Sequence, residues 1–224
     1  MSEETGTETI PVIKGVIFDF DGTLTELTLD FRFMKAEIVK IVRRYVQEET
    51  VTALKDHPIL EMIYEAEDRL GKTGAKLRQE AFERLRILEL EASMGKEVYP
   101  YTREVLALIK KKSVKVGVIT RSCIDVLRGV FPDIDEYVMG IVTREHLREV
   151  KPHPGQAYAI SSLLSIYPEE SMLAGDHPTD IAAGKAAGMK TVGLLTGRTT
   201  KHEFEKAGAT YILEDIRGIP DLIH

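Results

Sequence analysis

Val16-Ile17-Phe18-Asp19-Phe20-Asp21-Gly22-Thr23 is the stretch that decides how this chain is read. A short apolar run of β-branched and aromatic residues follows Gly15 and stops abruptly at acidic residues. Such a run predicts a fully buried strand. Asp19 and Asp21 stand two positions apart, so an extended chain puts both on the same side. Carboxylates at the end of a buried strand repel each other and lose hydration, and something must neutralise them. Mg²⁺ is the natural candidate, because it prefers carboxylate and phosphate oxygens. Gly22 lets the backbone turn sharply and approach a ligand, and Thr23 is expected to hydrogen-bond within the turn.

Further strands of the same kind lie downstream. Val114–Ile119 ends at Thr120, Met172–Ala174 ends at Gly175-Asp176, Thr191–Leu195 forms another, and Thr210–Leu213 is a short last one. Helical patterns separate them. Val105, Leu106, Leu108 and Ile109 make one apolar face, followed by Lys110, Lys111 and Lys112, where cations suit the end of a helix dipole. Gly155–Ser165 and Thr179–Ala187 are the other two, the second stopped by Gly188. Alternating strands and helices predict an α/β fold with a Rossmann-like, doubly wound parallel sheet. Ligands on such sheets bind beyond the carboxyl ends of the strands, where these acidic residues sit.

One stretch breaks the alternation. Between about Glu26 and Glu97 no strand is evident, while Phe31, Met34, Ile38, Ile41, Val42 and Tyr45 fall at helical spacing. So do Leu60, Ile63 and Leu70, then Leu77, Ala81, Leu85 and Leu88, with breakers at His57-Pro58 and Gly71–Gly74. Three or four amphipathic helices are expected, packed as a small bundle. A right-handed crossover needs only one helix, so the set reads as an insertion. The expected organisation is an α/β core over residues 1–25 and 98–224 and an α-helical cap over 26–97. Linkers are expected near Thr25–Thr28 and Gly95–Pro100, and a frayed polar tail over residues 1 to about 11.

Composition narrows the function classes. The 224 residues carry a formal net charge of −6, with 43% apolar and 29% charged residues, which is ordinary for a globular protein. A general nucleic-acid binder would need a basic footprint, and none is present. No apolar run approaches the roughly 18–20 residues that span a bilayer, and no basic residue precedes an apolar stretch at the start, so neither a membrane nor a secretory signal is expected. The single cysteine, Cys123, excludes an internal disulfide and a four-cysteine zinc site. A cytoplasmic protein is the expectation.

Taken together, the segment Val16–Thr23, Thr120 at the end of the second strand, Lys151-Pro152 before a helix, and Gly175-Asp176-His177-Pro178-Thr179-Asp180 after a later strand resemble, in order, the four signatures of the haloacid dehalogenase superfamily of hydrolases. The resemblance covers residues 15–25 and about 98–224; the helical insert matches the family in position and class only. It implies that Asp19 is a nucleophile forming an aspartyl-phosphate, and that Asp21 is general acid to the leaving oxygen and then base to water. Thr120 would donate its hydroxyl to a phosphoryl oxygen together with nearby backbone N–H groups, in a loop that also includes Gly22 and Thr23. Lys151 would offset the charge of nucleophile and phosphate. Asp176 would complete a Mg²⁺ site with Asp19 and the backbone carbonyl of Asp21, and Asp180 would either hold a metal-bound water or orient Lys151. The dehalogenase branch typically lacks a second acidic residue, so Asp21 points to phosphate esters. One departure is Arg121, where the family's phosphatases often carry Asn. Its guanidinium either binds a second anionic group of the substrate or points away and leaves only its backbone N–H in use.

Each residue alone has a plainer reading. Asp176 or Asp180 would be helix caps, Lys151 a surface lysine, His153 and His177 loop residues, and Cys123 a small buried thiol. Gly184-Lys185 mimics the end of a phosphate-binding loop, but Ala186 stands where Ser or Thr is required. The expected function is a Mg²⁺-dependent phosphatase acting on a small soluble phosphomonoester, similar to the phosphoglycolate phosphatase group. A phosphomutase of the beta-phosphoglucomutase type, or a non-catalytic phosphate-binding module, are the alternatives.

Overall fold

The computed structural model describes residues 12–223; the tail expected before residue 12 lies outside them. Six strands form one sheet: β1 (Gly15–Phe18), β2 (Lys115–Ile119), β3 (Gly140–Val142), β4 (Ser171–Gly175), β5 (Lys190–Leu194) and β6 (Tyr211–Leu213). Their spatial order is β3-β2-β1-β4-β5-β6, and every pairing is parallel. The order reverses direction beside β1, between β2 and β4, and in open α/β sheets that switch point is where a crevice opens at the strands' carboxyl ends. The expected Rossmann-like, doubly wound core is therefore what the chain forms.

Two compact units divide the described chain: Thr28–Gly95, and the segments to Leu27 and from Lys96. Within the first lie α1 (Phe31–Val42), α2 (Glu48–Leu54), α3 (Ile59–Leu70) and α4 (Gly74–Ala92). Asp30 caps α1, its side chain accepting from the N–H groups of Arg32 and Phe33. Both α1 and α3 pack on the long α4. Met34, Ile38, Ile63, Ala66, Leu77, Ala81 and Leu85 are buried, and Tyr64 meets Phe82 edge to face at 5.5 Å. Tyr45 does not continue α1 as its spacing suggested. The chain tightens into i to i+3 turns at Arg44 and Tyr45, and the Tyr45 hydroxyl donates to Glu80 at 2.6 Å.

The α/β unit holds α5 (Thr102–Lys111), α6 (Ile124–Val130), α7 (Gly155–Leu164), α8 (Pro178–Ala187) and α9 (Lys201–Ala207). Ile17, Ile119 and Leu173 from the sheet bury against Ala157, Ile160 and Leu164 of α7 and Ala183 and Ala187 of α8. Alternation sends Val16, Phe18, Val116 and Val118 to the opposite face, where they too are buried. This explains why β1 reads as an unbroken apolar run. The chain leaving β1 is fastened to the chain entering α5: Thr25 Oγ1 donates to the Glu97 carbonyl at 2.6 Å, Tyr99 N–H to the Leu24 carbonyl at 3.0 Å, and Thr102 Oγ1 to the same carbonyl at 2.9 Å. No helix among the described residues is long and apolar enough to cross a membrane.

Ile17 sits wholly buried on a strand with a neighbour on each side. Replacing it with Ala should lower unfolding stability by about 2–5 kcal/mol, read as a reduced urea midpoint with an unchanged slope.

Candidate active site

The site grows from the ends of β1, β2 and β4. Asp19 extends β1 by one more rung, its N–H donating to the Ala174 carbonyl at 2.9 Å. The chain then reverses tightly, with Thr23 N–H and Leu24 N–H both donating to the Phe20 carbonyl at 3.2 and 2.9 Å. Gly22 makes this possible through a φ of 84° and through the absence of a side chain: a Cβ there would lie 2.3 Å from Asp176 Oδ2. At the end of β4, a Cβ on Gly175 would lie 2.2 Å from the Asp180 carboxyl carbon. Glycine at these two positions is what lets the loops close on the acidic groups.

Asp19, Asp176 and Asp180 each present a carboxylate oxygen, and the three oxygens lie within 4.8 Å of one another. All three residues are buried. The ammonium of Lys151 stands between two of them, 2.6 Å from Asp19 Oδ1 and 2.6 Å from Asp180 Oδ1. The other oxygen of Asp180 accepts from His177 N–H at 3.0 Å in a capping box at the start of α8, so Asp180 both caps the helix and aims Lys151. The Lys151 backbone is fixed as well. Its N–H donates to Gln156 Oε1 at 3.2 Å, and its carbonyl accepts from Arg121 Nη1 at 2.6 Å. The Arg121 guanidinium, one of whose expected uses was a second substrate anion, is thus engaged with the Lys151 backbone. Gln156, fully buried, also donates from Nε2 to the Thr120 carbonyl at 2.7 Å.

Thr120 follows β2, its N–H donating to the Val142 carbonyl at 3.0 Å. Its hydroxyl oxygen accepts from Ser122 N–H at 3.0 Å, which leaves the hydroxyl proton for another acceptor. The Asp21 side chain lies apart from the three-carboxylate group. Oδ1 of Asp21 pairs with Lys96 Nζ at 3.0 Å and Oδ2 accepts from Ser122 Oγ at 2.7 Å. Thr23 departs from expectation: its backbone N–H serves the turn, but its buried hydroxyl has no hydrogen-bond partner. His153 accepts from Gly155 N–H at 3.0 Å and His177 from Thr179 N–H at 3.3 Å; both are loop residues, as their plainer reading had it. Lys96, Ser122 and Gln156 were not singled out from the sequence. Ser122 lies three positions past the end of β2 and was within reach of inspection. Nothing in the sequence links Lys96 to a carboxylate 75 positions away.

Burial pushes the Asp19 carboxyl well above its ordinary range; Lys151 opposes that shift, while Asp180 and Asp176 add to it. Burial, then the neighbouring Asp180, lifts Asp176 to about 7. For Lys151 burial alone would lower the value, but Asp180 and Asp19 outweigh it and hold the ammonium above its usual range. Three buried carboxylates around one ammonium are a hard-oxygen donor set with unbalanced negative charge, which fits a divalent cation such as Mg²⁺.

The family model described as haloacid dehalogenase-like hydrolase matches residues 16–194. A haloacid dehalogenase-like hydrolase domain-containing protein of Arabidopsis thaliana is 29% identical, over 88% of this chain and 77% of that protein. The phosphoglycolate phosphatase of Photorhabdus laumondii is 27% identical, over 83% of this chain and 81% of its own. Among solved structures, CbbY from Rhodobacter sphaeroides in complex with phosphate has a similar fold, with a TM-score of 0.63 at 22% identity over 92% of this chain and 95% of that one.

A carboxyl raised from 3.8 to about 7 binds its proton more tightly in the folded state. Its contribution to stability is therefore complete below about pH 4 and is lost as pH climbs through about 7. With metal removed by a chelator, the melting temperature should fall across that window, and Asp176→Asn should shallow the fall. Added Mg²⁺ should raise the wild-type melting temperature more at about pH 8 than at about pH 5.5, since protons compete for the same oxygens. A Mg²⁺ effect equal at both values would contradict the charge assignment.

Proposed function

The chain belongs to the haloacid dehalogenase-like hydrolases, and from that premise we propose that it is a Mg²⁺-dependent phosphatase that hydrolyses a small soluble phosphomonoester through a phosphorylated Asp19. The observation that carries the reading is the Lys151 ammonium 2.6 Å from both Asp19 and Asp180, with the Asp176 carboxylate in the same group. Lys151 holds the Asp19 carboxylate at Oδ1, and one oxygen of that carboxylate attacks. That oxygen forms a bond to phosphorus as the ester P–O bond breaks, and the departing oxygen takes the proton that Asp21 must carry into this step. In the second half, water attacks the same phosphorus, its proton goes to Asp21, and the bond to Asp19 breaks to regenerate the carboxylate.

The chain's other groups position and neutralise. Thr120 has its hydroxyl proton available for a phosphoryl oxygen, because its oxygen already accepts from Ser122 N–H. The Arg121 backbone N–H and the Gly22-Thr23 turn complete the phosphate loop, while the Arg121 side chain braces Lys151 through its carbonyl. Asp180 orients Lys151 directly. A divalent cation held by Asp19, Asp176 and the backbone carbonyl of Asp21, with Asp180 reaching it through water, would supply positive charge against the phosphoryl oxygens. Substrate selection is assigned to the helical unit Thr28–Gly95 acting as a cap. The relative named phosphoglycolate phosphatase supports a small ester as substrate. The single cysteine is buried, and one cysteine cannot form an internal disulfide, which is in keeping with a cytoplasmic enzyme.

Phosphate release from a panel of small esters should require Mg²⁺ and stop with a chelator. Asp19→Asn should lower turnover by about three orders of magnitude or more while shifting the melting temperature little. Retained turnover in that variant would remove the assigned nucleophile, and an isomerised ester in place of free phosphate would redirect the reading to a mutase.

A further inference from the structure

Asp21 is gripped at both oxygens by residues from two other parts of the α/β unit. Lys96 Nζ lies 3.0 Å from Oδ1 and Ser122 Oγ lies 2.7 Å from Oδ2. The side chains of Lys96 and Asp21 are only 5% and 9% exposed, and Ser122 is buried. Lys96 follows Gly95, the last residue of the helical unit, whose φ is 72°. It stands one position ahead of Glu97, whose carbonyl is fixed by Thr25. Ser122 reaches the carboxylate while its own N–H holds the Thr120 hydroxyl oxygen at 3.0 Å. One serine therefore ties the proposed phosphate-contacting hydroxyl to the acid/base carboxylate.

A buried ammonium is expensive to desolvate, and a Met or Leu of similar size would pack at lower cost. Its presence here is explained if it holds Asp21. A carboxylate offers about four lone-pair sites. Lys96 and Ser122 occupy one on each oxygen, which fixes the plane of the group and leaves a site on each oxygen for the leaving group or the attacking water. An acid/base side chain works only when held within about 10–20° of its productive direction, and one donor alone leaves a carboxylate free to rotate.

We propose that Lys96, together with Ser122, is a positioning residue for Asp21 and sets how well proton transfer accompanies departure of the leaving group. This rests on the phosphatase reading above. Loss of Lys96 should therefore fall hardest on esters whose leaving oxygen needs a proton, and least on those that depart unaided.

The test compares kcat/KM for glycerol 2-phosphate, an alkyl ester, with that for p-nitrophenyl phosphate, whose leaving group is stable as an anion. Both are measured on the same preparation, so any loss of folded protein cancels in the ratio. Lys96→Met should lower the alkyl-to-aryl ratio about tenfold or more, within the range that general acid catalysis supplies. Ser122→Ala should lower it in the same direction, and Lys96→Arg should restore much of it. In an Asp21→Asn background, Lys96→Met should leave the ratio where Asp21→Asn alone sets it. A ratio that is unchanged or raised in both Lys96→Met and Ser122→Ala overturns the proposal. So does a further drop in the Asp21→Asn background, because Lys96 would then act on the substrate itself. A wild-type protein that releases phosphate from neither ester overturns the phosphatase reading and this proposal with it, whereas a flat ratio in an active enzyme overturns this proposal alone.

Discussion

A single buried ammonium holds two buried carboxylates at bonding distance, and the rest of the site is arranged to keep it there. Lys151 lies 2.6 Å from Asp19 and from Asp180, yet the three residues come from distant parts of the chain. An ion pair this buried is stable only when its partners cannot move apart and when its remaining polar atoms are satisfied. Both conditions are met locally. Gln156 accepts from the Lys151 N–H and donates to the Thr120 carbonyl, Arg121 donates to the Lys151 carbonyl, and His177 N–H secures the second oxygen of Asp180. Arg144 in turn donates to the Arg121 carbonyl at 2.9 Å. Removing Lys151 would leave Asp19, Asp176 and Asp180 facing one another without the one cation seen bonded to them among the described residues.

Sheet topology brings these loops together. The order β3-β2-β1-β4-β5-β6 places β1 between β2 and β4, so the chain segments that leave those three strands emerge side by side. Asp19 continues the pairing with β4 through the Ala174 carbonyl, and Thr120 continues the pairing with β3 through the Val142 carbonyl. Asp19, Thr120 and Asp176 thus sit one residue beyond a hydrogen-bonded strand, where the backbone is still held by its neighbours. The apolar contacts of Ile17, Ile119 and Leu173 with α7 and α8 anchor those strands immediately below the site. Core packing and site geometry are consequences of the same three strands.

The parts of this arrangement that could be read from the sequence were those carried by pattern. β1, β2, β4 and β5 are short apolar runs, the first three closed by Asp, Thr or Gly, and the helices of Thr28–Gly95 repeat apolar residues at helical spacing. What escaped had no pattern to carry it. β3 is three residues long and only partly buried at the sheet edge, too short for any period to register. α2 has seven residues with two buried, and α6 and α9 are equally short. The acidic positions Asp19 and Asp176 were legible because a charged residue ending a buried strand is conspicuous. Lys96 was not, since lysines are ordinary on surfaces and only the fold reveals that this one is buried. Residue type alone allows the Thr23 hydroxyl a turn hydrogen bond, whereas the turn closes on backbone N–H groups and does not need it.

The charges divide into two groups with different balance. Asp19, Asp176 and Asp180 face one ammonium, a net negative cluster in which two carboxyls are held above their ordinary range. Asp21 is paired with Lys96 and accepts from Ser122, while its charge still reaches Asp176. An incoming phosphate ester is itself an anion, and the unbalanced cluster would repel it unless protons or a divalent cation supply the missing positive charge. The balanced pair carries no such debt and can hold its geometry whether or not a cation is bound. Nucleophile and acid/base residue are two positions apart in the chain, and the fold gives them opposite electrostatic settings. The nucleophile's surroundings call for an added cation, while the acid/base carboxylate already has its counter-charge supplied by the protein.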